Sequence, residues 1–499
     1  SDNIDKAKEM IEKDKDNSYC ILAKKVSYEE MSRFQALMDD EDTKDEISGI
    51  WFEKEYERKY PYGTLAAALL GFATTGNTGI IGLENYYNTP LNGVNGRSYG
   101  YLNTDSSFQE TVVEPENGKT LITSLDVNIQ SIVETAVADF NLAHATEEGD
   151  GSKNTAVLVM NPNTGEILAM ATYPTFDLNQ PRDLSKFFTE DELNHMSADD
   201  QLNFLNNLWR NYPVSSTYEP GSTFKPFTVA CGLDTGTLKG DETFLCDGGE
   251  QIGTYYVHCV NRNGHGVETI EGALKDSCND ALMQMSYRIG ATNFAQYQAL
   301  FGFGQKTNVD LPGEATTKDL IYSEDELKKT INLATNAFGQ NFNVTMVQLA
   351  SAFCSLINGG TLYQPHIVSS IQDSTGNVVN EIEPVVLKKT VSQEVSEQLK
   401  EYLLSVVADG TGHTAGVDGY NIGGKTGTAQ KLPREENNYL VSFIGYAPQD
   451  HPEVVIYTIV DEPNVEDQAH SSYAQEITHN ILSQILPYMN IETAQTVNQ

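Results

Sequence analysis

Basic residues are scarce in this sequence, which has 32 lysines and arginines against 70 aspartates and glutamates in 499 residues. The formal net charge of −38 at pH 7 argues against nucleic acid and anionic lipid as partners, because both would be repelled. The N-terminus starts Ser1-Asp2-Asn3 in a charged helical pattern, so we do not expect a signal peptide in this sequence. A chain of this length is too long for one hydrophobic core, so we expect two or three domains.

Long hydrophobic runs are equally rare. Residues 63–83 carry no charge and are long enough to cross a bilayer, but several glycines and the run Thr74–Gly79 interrupt the apolar pattern. We therefore interpret this segment as a short buried helix, Leu65–Leu70, followed by a turn.

The segment Glu219–Pro226 reads Glu-Pro-Gly-Ser-Thr-Phe-Lys-Pro and has the pattern of a helix start. Pro226 is tolerated only in a first helical turn, which places the helix start close to Ser222. Residues three apart share a helix face, so the Ser222 hydroxyl and the Lys225 amine become neighbours. Burial lowers the pKa of a lysine, and a neutral amine can activate a serine hydroxyl as a nucleophile.

Two further motifs follow in order, Ser277-Cys278-Asn279 and Lys425-Thr426-Gly427-Thr428. Ser-x-x-Lys, Ser-x-Asn and Lys-Thr-Gly in this order are typical of the penicillin-recognising serine enzymes. The flanks agree, with Leu208–Asn211 ahead of the serine and Gly423-Gly424 ahead of the lysine. The chain resembles a class B penicillin-binding protein, which is a monofunctional peptidoglycan D,D-transpeptidase.

The resemblance implies a multidomain α+β fold. We expect a β-rich N-terminal pedestal, or dimerisation domain, over residues 1–118 and a transpeptidase domain over 119–488, followed by a polar tail, 489–499. The transpeptidase domain would have a central antiparallel sheet flanked by helices and an all-α subdomain. Pro115 and the turn Asn117-Gly118-Lys119 indicate the first boundary.

The same resemblance implies roles for the first two motifs. Ser222 would attack the carbonyl of a donor-stem D-Ala-D-Ala, giving an acyl-enzyme and releasing D-alanine, while Lys225 takes the serine proton. Ser277 would relay a proton to the leaving amine, and Asn279 would hold Lys225 and the substrate amide.

The third motif would bind the substrate. Lys425, Thr426 and Thr428 would hold its terminal carboxylate, while the amides of Ser222 and Thr428 form an oxyanion hole. If Lys425 lies on a strand, alternation puts Gly427 on the same face, where a missing side chain would let substrate lie against the strand.

Three of the six cysteines bracket a histidine between the first two motifs. Thiolates and imidazole suit tetrahedral zinc, and the expected ligands are Cys246, Cys259, His265 and Cys278. A metal there would brace the second motif, as in a subset of elongation-type class B enzymes. Asp247 or His258 could replace one ligand. The alternatives are a disulfide within the trio and buried free thiols. The remaining cysteines, Cys20, Cys231 and Cys354, are interpreted as single core positions.

Other functions share parts of this pattern. A D,D-carboxypeptidase or serine β-lactamase carries the three motifs, but a long pedestal and the Trp209–Asn211 context fit these enzymes poorly. A β-lactam sensor or an assembly scaffold would bind without turnover. The sequence does not choose among roles in elongation, division and sporulation.

The resemblance also implies partners and a location. We expect binding of peptidoglycan stem peptides and β-lactams. No glycosyltransferase domain is apparent, so polymerisation would require a membrane glycan polymerase of the shape, elongation, division and sporulation family. The expected location is extracytoplasmic, with an N-terminal membrane helix that this sequence does not include.

Overall fold

The computed structural model of the protein describes residues 8–9, 12–13, 21–44, 47, 50–53, 57–74, 76–102, 108–147 and 149–494. The chain divides into two compact units, Ser1–Glu57 and Arg58–Gln499. The division at residue 118, and the limits 119–488 and 489–499, stay predictions. Within the described residues, no helix combines the length and the apolar character that crossing a membrane requires.

The smaller unit contains the helix Tyr28–Asp39. Ser27 and Glu30 form a capping box at its start, in which each side chain accepts a hydrogen bond from the other residue's backbone amide. Phe34 packs edge-on against Phe52 with the ring centroids 5.8 Å apart.

The larger unit is built from helices and strands in alternation. Its α-helices are Ala67–Leu70, Gly82–Tyr86, Asn88–Asn92, Val127–Ala143, Glu190–His195, Ala198–Leu208, Tyr212–Ser215, Lys225–Asp234, Ile270–Lys275, Asn279–Leu300, Glu324–Leu327, Thr330–Ala337, Met346–Ile357, Gln393–Ala408 and Ser472–Tyr488. Its 3₁₀ helices are Gly221–Phe224, Lys318–Leu320, His413–Ala415 and Arg434–Glu436.

The strands are numbered along the chain. They are β1 (Ala73–Thr74), β2 (Thr78–Gly79), β3 (Arg97–Leu102), β4 (Phe108–Val113), β5 (Thr120–Thr123), β6 (Ser152–Met160), β7 (Ile167–Tyr173), β8 (Thr217–Tyr218), β9 (Thr243–Cys246), β10 (Gly249–Ile252), β11 (Tyr255–His258), β12 (Gly266–Thr269), β13 (Val344–Thr345), β14 (Thr361–Tyr363), β15 (Val368–Gln372), β16 (Val378–Glu381), β17 (Val386–Lys389), β18 (Gly423–Gln430), β19 (Tyr439–Ala447) and β20 (Val454–Pro463).

A five-stranded antiparallel sheet forms the centre of the larger unit, in the order β18-β19-β20-β6-β7. Its strands are apolar on both faces because both are covered. On one face of β6, Val157 and Val159 pack with the helices Val127–Ala143 and Ser472–Tyr488. Leu158 lies between these two valines in the sequence and packs on the opposite face of the sheet. This sheet confirms the expected α+β fold.

On the opposite face lies a mainly helical subdomain around the helix Lys225–Asp234. A cluster of aromatic rings holds the start of that helix, with Phe224 and Phe227 stacked at 5.3 Å between centroids and Phe342 edge-on to Phe224 at 4.7 Å. Because interiors are close-packed, these rings leave the turn that carries Ser222 little freedom to move.

The uncharged segment 63–83 forms a short helix, Ala67–Leu70, and then the hairpin of β1 and β2. Ala67 and Leu69 are buried. The interpretation as a buried helix and turn, rather than a membrane span, is confirmed, although the helix begins two residues later than predicted.

Candidate active site

The predicted nucleophile lies on a tight turn that leads into a helix. Gly221–Phe224 is a 3₁₀ helix, and the α-helix begins only at Lys225, whose amide donates to the Ser222 carbonyl. Side chains at i and i+3 eclipse in a 3₁₀ helix, so Ser222 and Lys225 share a face. Pro226 lies in the first turn of the α-helix, as predicted.

Gly221 allows this turn to pass close to β18. Its φ of +58° is unfavourable for other residues, and a Cβ would lie 2.7 Å from the Thr428 carbonyl oxygen. Its amide donates to the Gly339 carbonyl at 2.9 Å. The turn with Ser222 is therefore fixed against the strand that carries the third motif.

Lys225 is fully buried, and its contacts are with the second motif. Its Nζ donates to the carbonyl oxygen of Ser277 at 2.6 Å and to the Ser277 Oγ at 3.0 Å. Burial lowers the pKa of Lys225 to about 8, against a smaller raising effect from Cys278 and Cys259. A minor fraction of this amine is therefore neutral near physiological pH, and that fraction can accept a proton.

Lys425 contacts the same hydroxyl. It lies on β18 and is fully buried, and its Nζ donates to Ser277 Oγ at 3.1 Å and to Thr426 Oγ1 at 3.0 Å. Burial and the charge of Lys225 lower the pKa of Lys425 well below its ordinary value. The Ser277 hydroxyl thus bridges two buried amines, through which a proton can pass.

The second motif has a strained backbone. Ser277 has a φ of +54°, which is rare for residues other than glycine, and typically costs about 1–3 kcal/mol. Cys278 follows as the N-cap of the helix Asn279–Leu300, and its Sγ accepts from the Ala281 amide at 3.3 Å. This geometry turns the Ser277 side chain towards both lysines.

Asn279 contacts a different partner from the one predicted. Its Nδ2 donates to the His258 carbonyl at 3.3 Å, whereas Lys225 donates only to Ser277 among the residues that the structure describes. The predicted hydrogen bond between Asn279 and Lys225 is therefore not formed in this structure. Asn279 is half-buried.

Gly427 lies on the face of β18 that Lys425 occupies, as alternation predicted, but the reason given for a glycine there is wrong. A Cβ would overlap the Ser442 hydroxyl and lie 2.8 Å from Cγ2 of Thr223. The Ser442 hydroxyl and the methyl group of Thr223, the residue beside the nucleophile, occupy this space. Gly427 is a position of close packing between β18 and the turn that carries Ser222.

This packing gives a prediction. We expect Gly427→Ala to lower the free energy of unfolding by about 1–3 kcal/mol, because overpacking a core displaces its neighbours. We also expect roughly a hundredfold slower acylation by penicillin, since small shifts of a nucleophile are costly. Thermal unfolding and stopped-flow acylation measure the two effects. Gly427→Ala combined with Ser442→Ala removes the nearest obstacle and recovers part of both losses. If the variant kept the wild-type melting temperature and showed only a raised KM, the original interpretation, in which substrate lies against the strand at Gly427, would hold.

β18 offers an open edge beside these side chains. It is the first strand of the sheet, so in the described part of the chain only β19 pairs with it. An edge strand presents unpaired amide and carbonyl groups that can bind an extended peptide. Thr426 is buried and Thr428 half-buried on this strand, and both belong to the segment that a bound peptide would contact.

Sequence reasoning missed Thr411. Its Oγ1 lies 3.2 Å from Thr426 Oγ1 and donates to the Lys275 carbonyl at 3.0 Å. It therefore orients Thr426, which itself contacts Lys425. A single threonine outside the motifs carries no signal in the sequence.

The predicted metal ligands come together in one cluster. Ligand atoms of Cys246, Cys259, His265 and Cys278 all lie within 4.8 Å of one another. His265 Nδ1 is 3.5 Å from the sulfurs of Cys246 and Cys259, and the sulfurs of Cys259 and Cys278 are 3.7 Å apart. Neither alternative ligand, Asp247 or His258, belongs to the cluster.

These distances fit a tetrahedral metal. Zinc bonds of about 2.3 Å to sulfur and about 2.0 Å to nitrogen give edges of about 3.8 Å between sulfurs and about 3.5 Å between sulfur and nitrogen. All five cysteines that the structure describes are free, which disfavours the disulfide alternative. Hydrogen bonding with Cys278 lowers the pKa of the Cys259 thiol, which favours the thiolate that a metal binds.

The other cysteines lie apart from this cluster. Cys231 and Cys354 are buried, as predicted, and burial raises the pKa of the Cys231 thiol to about 12. Cys20 lies outside the described residues.

Comparison with known proteins agrees with this geometry. The sequence profile of the penicillin binding protein transpeptidase domain matches residues 155–483. The profile of the penicillin-binding protein dimerisation domain matches residues 2–123.

Individual relatives cover most of the chain. Stage V sporulation protein D of Bacillus subtilis is 36% identical over 481 residues, which are 94% of this chain and 68% of that protein. A probable peptidoglycan D,D-transpeptidase of Neisseria meningitidis is 30% identical over 438 residues, covering 86% of this chain and 67% of the relative. The crystal structure of penicillin binding protein 3 from Mycobacterium tuberculosis is similar with a TM-score of 0.73 and 28% identity, covering 88% of this chain and 92% of that one. The chain therefore belongs to the penicillin-binding proteins, in class B.

Proposed function

We propose that this protein is a serine D,D-transpeptidase that cross-links peptidoglycan stem peptides through an acyl-enzyme on Ser222 and is inhibited by β-lactams. The observation that carries this conclusion is the Ser277 hydroxyl held between two buried amines, 3.0 Å from Lys225 and 3.1 Å from Lys425. The Neisseria relative is named a probable peptidoglycan D,D-transpeptidase. The similar Mycobacterium protein has been solved with aztreonam and with ampicillin.

In the acylation step, Ser222 Oγ attacks the carbonyl carbon of the penultimate D-alanine while its proton passes to Lys225. The negative charge that develops on the carbonyl oxygen is stabilised by the backbone amides of Ser222 and Thr428. The C–N bond then breaks, and the leaving amine takes a proton from Ser277, which Lys225 replenishes. D-alanine departs, and an ester on Ser222 remains.

In the second step, the acceptor amine attacks this ester, and the serine regains its proton through the same bridge. Lys425, Thr426 and Thr428 hold the terminal carboxylate of the donor. Binding of that carboxylate favours the protonated form of Lys425, because the opposite charge counteracts the effect of burial on the pKa of the lysine. Asn279 donates to the substrate amide.

The products of a defined reaction test this function. With a donor stem ending in D-Ala-D-Ala and an acceptor amine, we expect a new amide between the two and one D-alanine released for each. Penicillin should form a long-lived adduct. Release of D-alanine without an acceptor product would indicate a carboxypeptidase, and rapid hydrolysis of penicillin would indicate a β-lactamase. A scaffold or sensor would turn over neither peptide.

The cluster of Cys246, Cys259, His265 and Cys278 is the proposed site of a structural zinc ion. Three sulfurs and one imidazole nitrogen form a donor set that zinc prefers. The separations of 3.5 Å from His265 Nδ1 to the sulfurs of Cys246 and Cys259, and of 3.7 Å between the sulfurs of Cys259 and Cys278, match edges of a zinc tetrahedron. A bound zinc would hold the four ligand side chains together and would take no part in the chemical reaction. Because Cys278 separates Ser277 from Asn279, holding its sulfur fixes the backbone of the second motif.

Metal analysis tests this site with a matched control. We expect about one zinc per chain in protein prepared without chelator, and its loss in Cys259→Ser. Cys354→Ser removes another buried thiol outside the cluster and should retain the metal. Loss of zinc should also lower the melting temperature, because metal binding stabilises the folded state. Metal-free protein with full stability, or equal zinc in both variants, would contradict the assignment.

The location and partner follow from the substrate. Stem peptides of peptidoglycan lie outside the cytoplasmic membrane, so the proposed location is extracytoplasmic, with an N-terminal membrane anchor. Cross-linking requires glycan strands that another enzyme polymerises, and the proposed partner is a membrane polymerase of the shape, elongation, division and sporulation family. The proposed division is a pedestal to residue 118, a transpeptidase domain over 119–488 and a tail over 489–499.

A further inference from the structure

An arginine and a glutamate meet at the far end of the open strand. Arg434 lies in the 3₁₀ helix that follows β18, and its Nη1 donates to the Gln430 carbonyl at 2.8 Å. Gln430 returns a hydrogen bond from Nε2 to the Arg434 carbonyl at 2.9 Å. The loop is thus fixed to the last residue of the strand, and with it the position of the guanidinium.

Glu219 reaches the same place from the nucleophile turn, three residues before Ser222. Its Oε1 accepts from the Asn341 amide at 3.1 Å, which orients the carboxylate, and its Oε2 lies 3.5 Å from Arg434 Nη2. The Arg434 side chain is 35% exposed and that of Glu219 is 13% exposed. The pair therefore joins the loop after β18 to the turn that carries Ser222, with its cation accessible to solvent.

The ion pair of Arg434 and Glu219 is looser than the neighbouring ion pairs of Lys431. Lys431, in the same loop, is held by Asp461 at 2.6 Å and also by Glu462. Among the described residues, the contact of 3.5 Å with Glu219 is the only ion pair of Arg434, and two of its five N–H donors have partners. A guanidinium with donors to spare binds a carboxylate through two parallel hydrogen bonds.

The direction of the donor peptide places its third residue here. If its terminal carboxylate lies at Lys425 and Thr426 and its reactive carbonyl at Ser222 and Thr428, the chain continues along β18 towards Gln430. Strand residues advance about 3.3 Å each and an extended peptide advances at the same rate, so the residue before the D-alanines lies opposite Ala429. A long side chain on that residue extends from there to the pair of Arg434 and Glu219, where Arg434 contacts Gln430.

We propose that Arg434 and Glu219 recognise the side chain of the third stem residue, and that this residue is a diamino acid ending in both a carboxylate and an ammonium group. The proposal rests on the transpeptidase function given above. The carboxylate binds the guanidinium of Arg434, and the ammonium binds the outer oxygen of Glu219, so that a zwitterion is inserted into the loose ion pair. In a protein with a net charge of −38, a fixed cation is needed to hold an anionic side chain. The neighbouring Glu435 and Glu436 are exposed and contribute only general repulsion.

Donor peptides that differ only at the third residue test this assignment. The residues are meso-diaminopimelate with both charges, L-lysine with the ammonium alone and L-norleucine with neither. The readout is the ratio of kcat/KM for D-alanine release between two peptides, which removes effects common to both. We expect wild type to favour the diaminopimelate peptide over the norleucine peptide by roughly tenfold or more, as for a charge-assisted hydrogen bond.

The variants separate the two charges. Arg434→Gln should bring the ratio of diaminopimelate to lysine down roughly tenfold, and Glu219→Gln should lower the ratio of lysine to norleucine. Arg182→Gln, an exposed arginine elsewhere, makes the same change in net charge and should leave both ratios unchanged. Equal ratios in wild type and Arg434→Gln would overturn the proposal.

The wild-type result also separates this proposal from the function on which it rests. A wild-type enzyme that penicillin labels but that uses all three peptides equally would overturn only the recognition of the third residue. A protein that forms no penicillin adduct and releases no D-alanine from any peptide would overturn the transpeptidase assignment itself.

Discussion

Replacing Lys225 with methionine is expected to slow acylation by penicillin about a thousandfold, the usual scale of a lost general base. The fully buried amine of Lys225 has only Ser277 as a hydrogen-bond partner among the described residues, and burial lowers its pKa to about 8. Methionine retains the length and apolar stem of the lysine but cannot accept a proton. The fold should be little affected, because the buried charge that is removed had no carboxylate partner.

The pH dependence should change with the same substitution. The base must be neutral to act, and its pKa lies below the ordinary value, so the wild-type acylation rate should rise with pH through about 8 and then level off. In Lys225→Met the rise of the acylation rate around pH 8 should disappear.

Lys400→Met is the matched control for Lys225→Met, because Lys400 is a buried lysine that contacts Glu397 and Asp450. It should acylate at the wild-type rate. Wild-type acylation by Lys225→Met, or an equal loss in Lys400→Met, would exclude Lys225 as the base.

Much of this site could be predicted because its chemistry is carried by short motifs. The motif Ser222-x-x-Lys225 fixes two side chains on one turn, and only a proton-transfer function explains a buried amine beside two other polar motifs. The structure brings Ser277 and Lys425 to that amine, although they are far apart in the chain. The cysteine trio with His265 was predictable for a similar reason, since its residue types have few other uses in combination.

The remainder depends on contacts that no local pattern encodes. The sequence has a glycine at position 427 whether substrate or Thr223 lies beside it. The packing of the turn that carries Ser222 determines which of the two it is, and the sequence does not encode that packing locally. Asn279 binds the His258 carbonyl because the cysteine cluster brings that loop close. Thr411 and Arg434 lie in loops, whose positions follow from tertiary packing and not from hydrophobic periodicity.

Ser222→Ala should have the largest effect, a complete loss of covalent labelling by penicillin. The hydroxyl is the only atom of this residue that can form the ester, and alanine keeps the backbone that Gly221 and Gly339 hold in place. The variant should therefore fold normally and still bind the antibiotic reversibly.

Mass spectrometry of penicillin-treated protein tests the central claim most directly. In wild type we expect one penicilloyl group, located by fragmentation on Ser222, and in Ser222→Ala we expect none at matched concentration and time. Folding of the variant is checked by an unchanged melting temperature. An adduct on another residue of the wild type, or persistent labelling of the folded variant at the wild-type rate, would contradict the account.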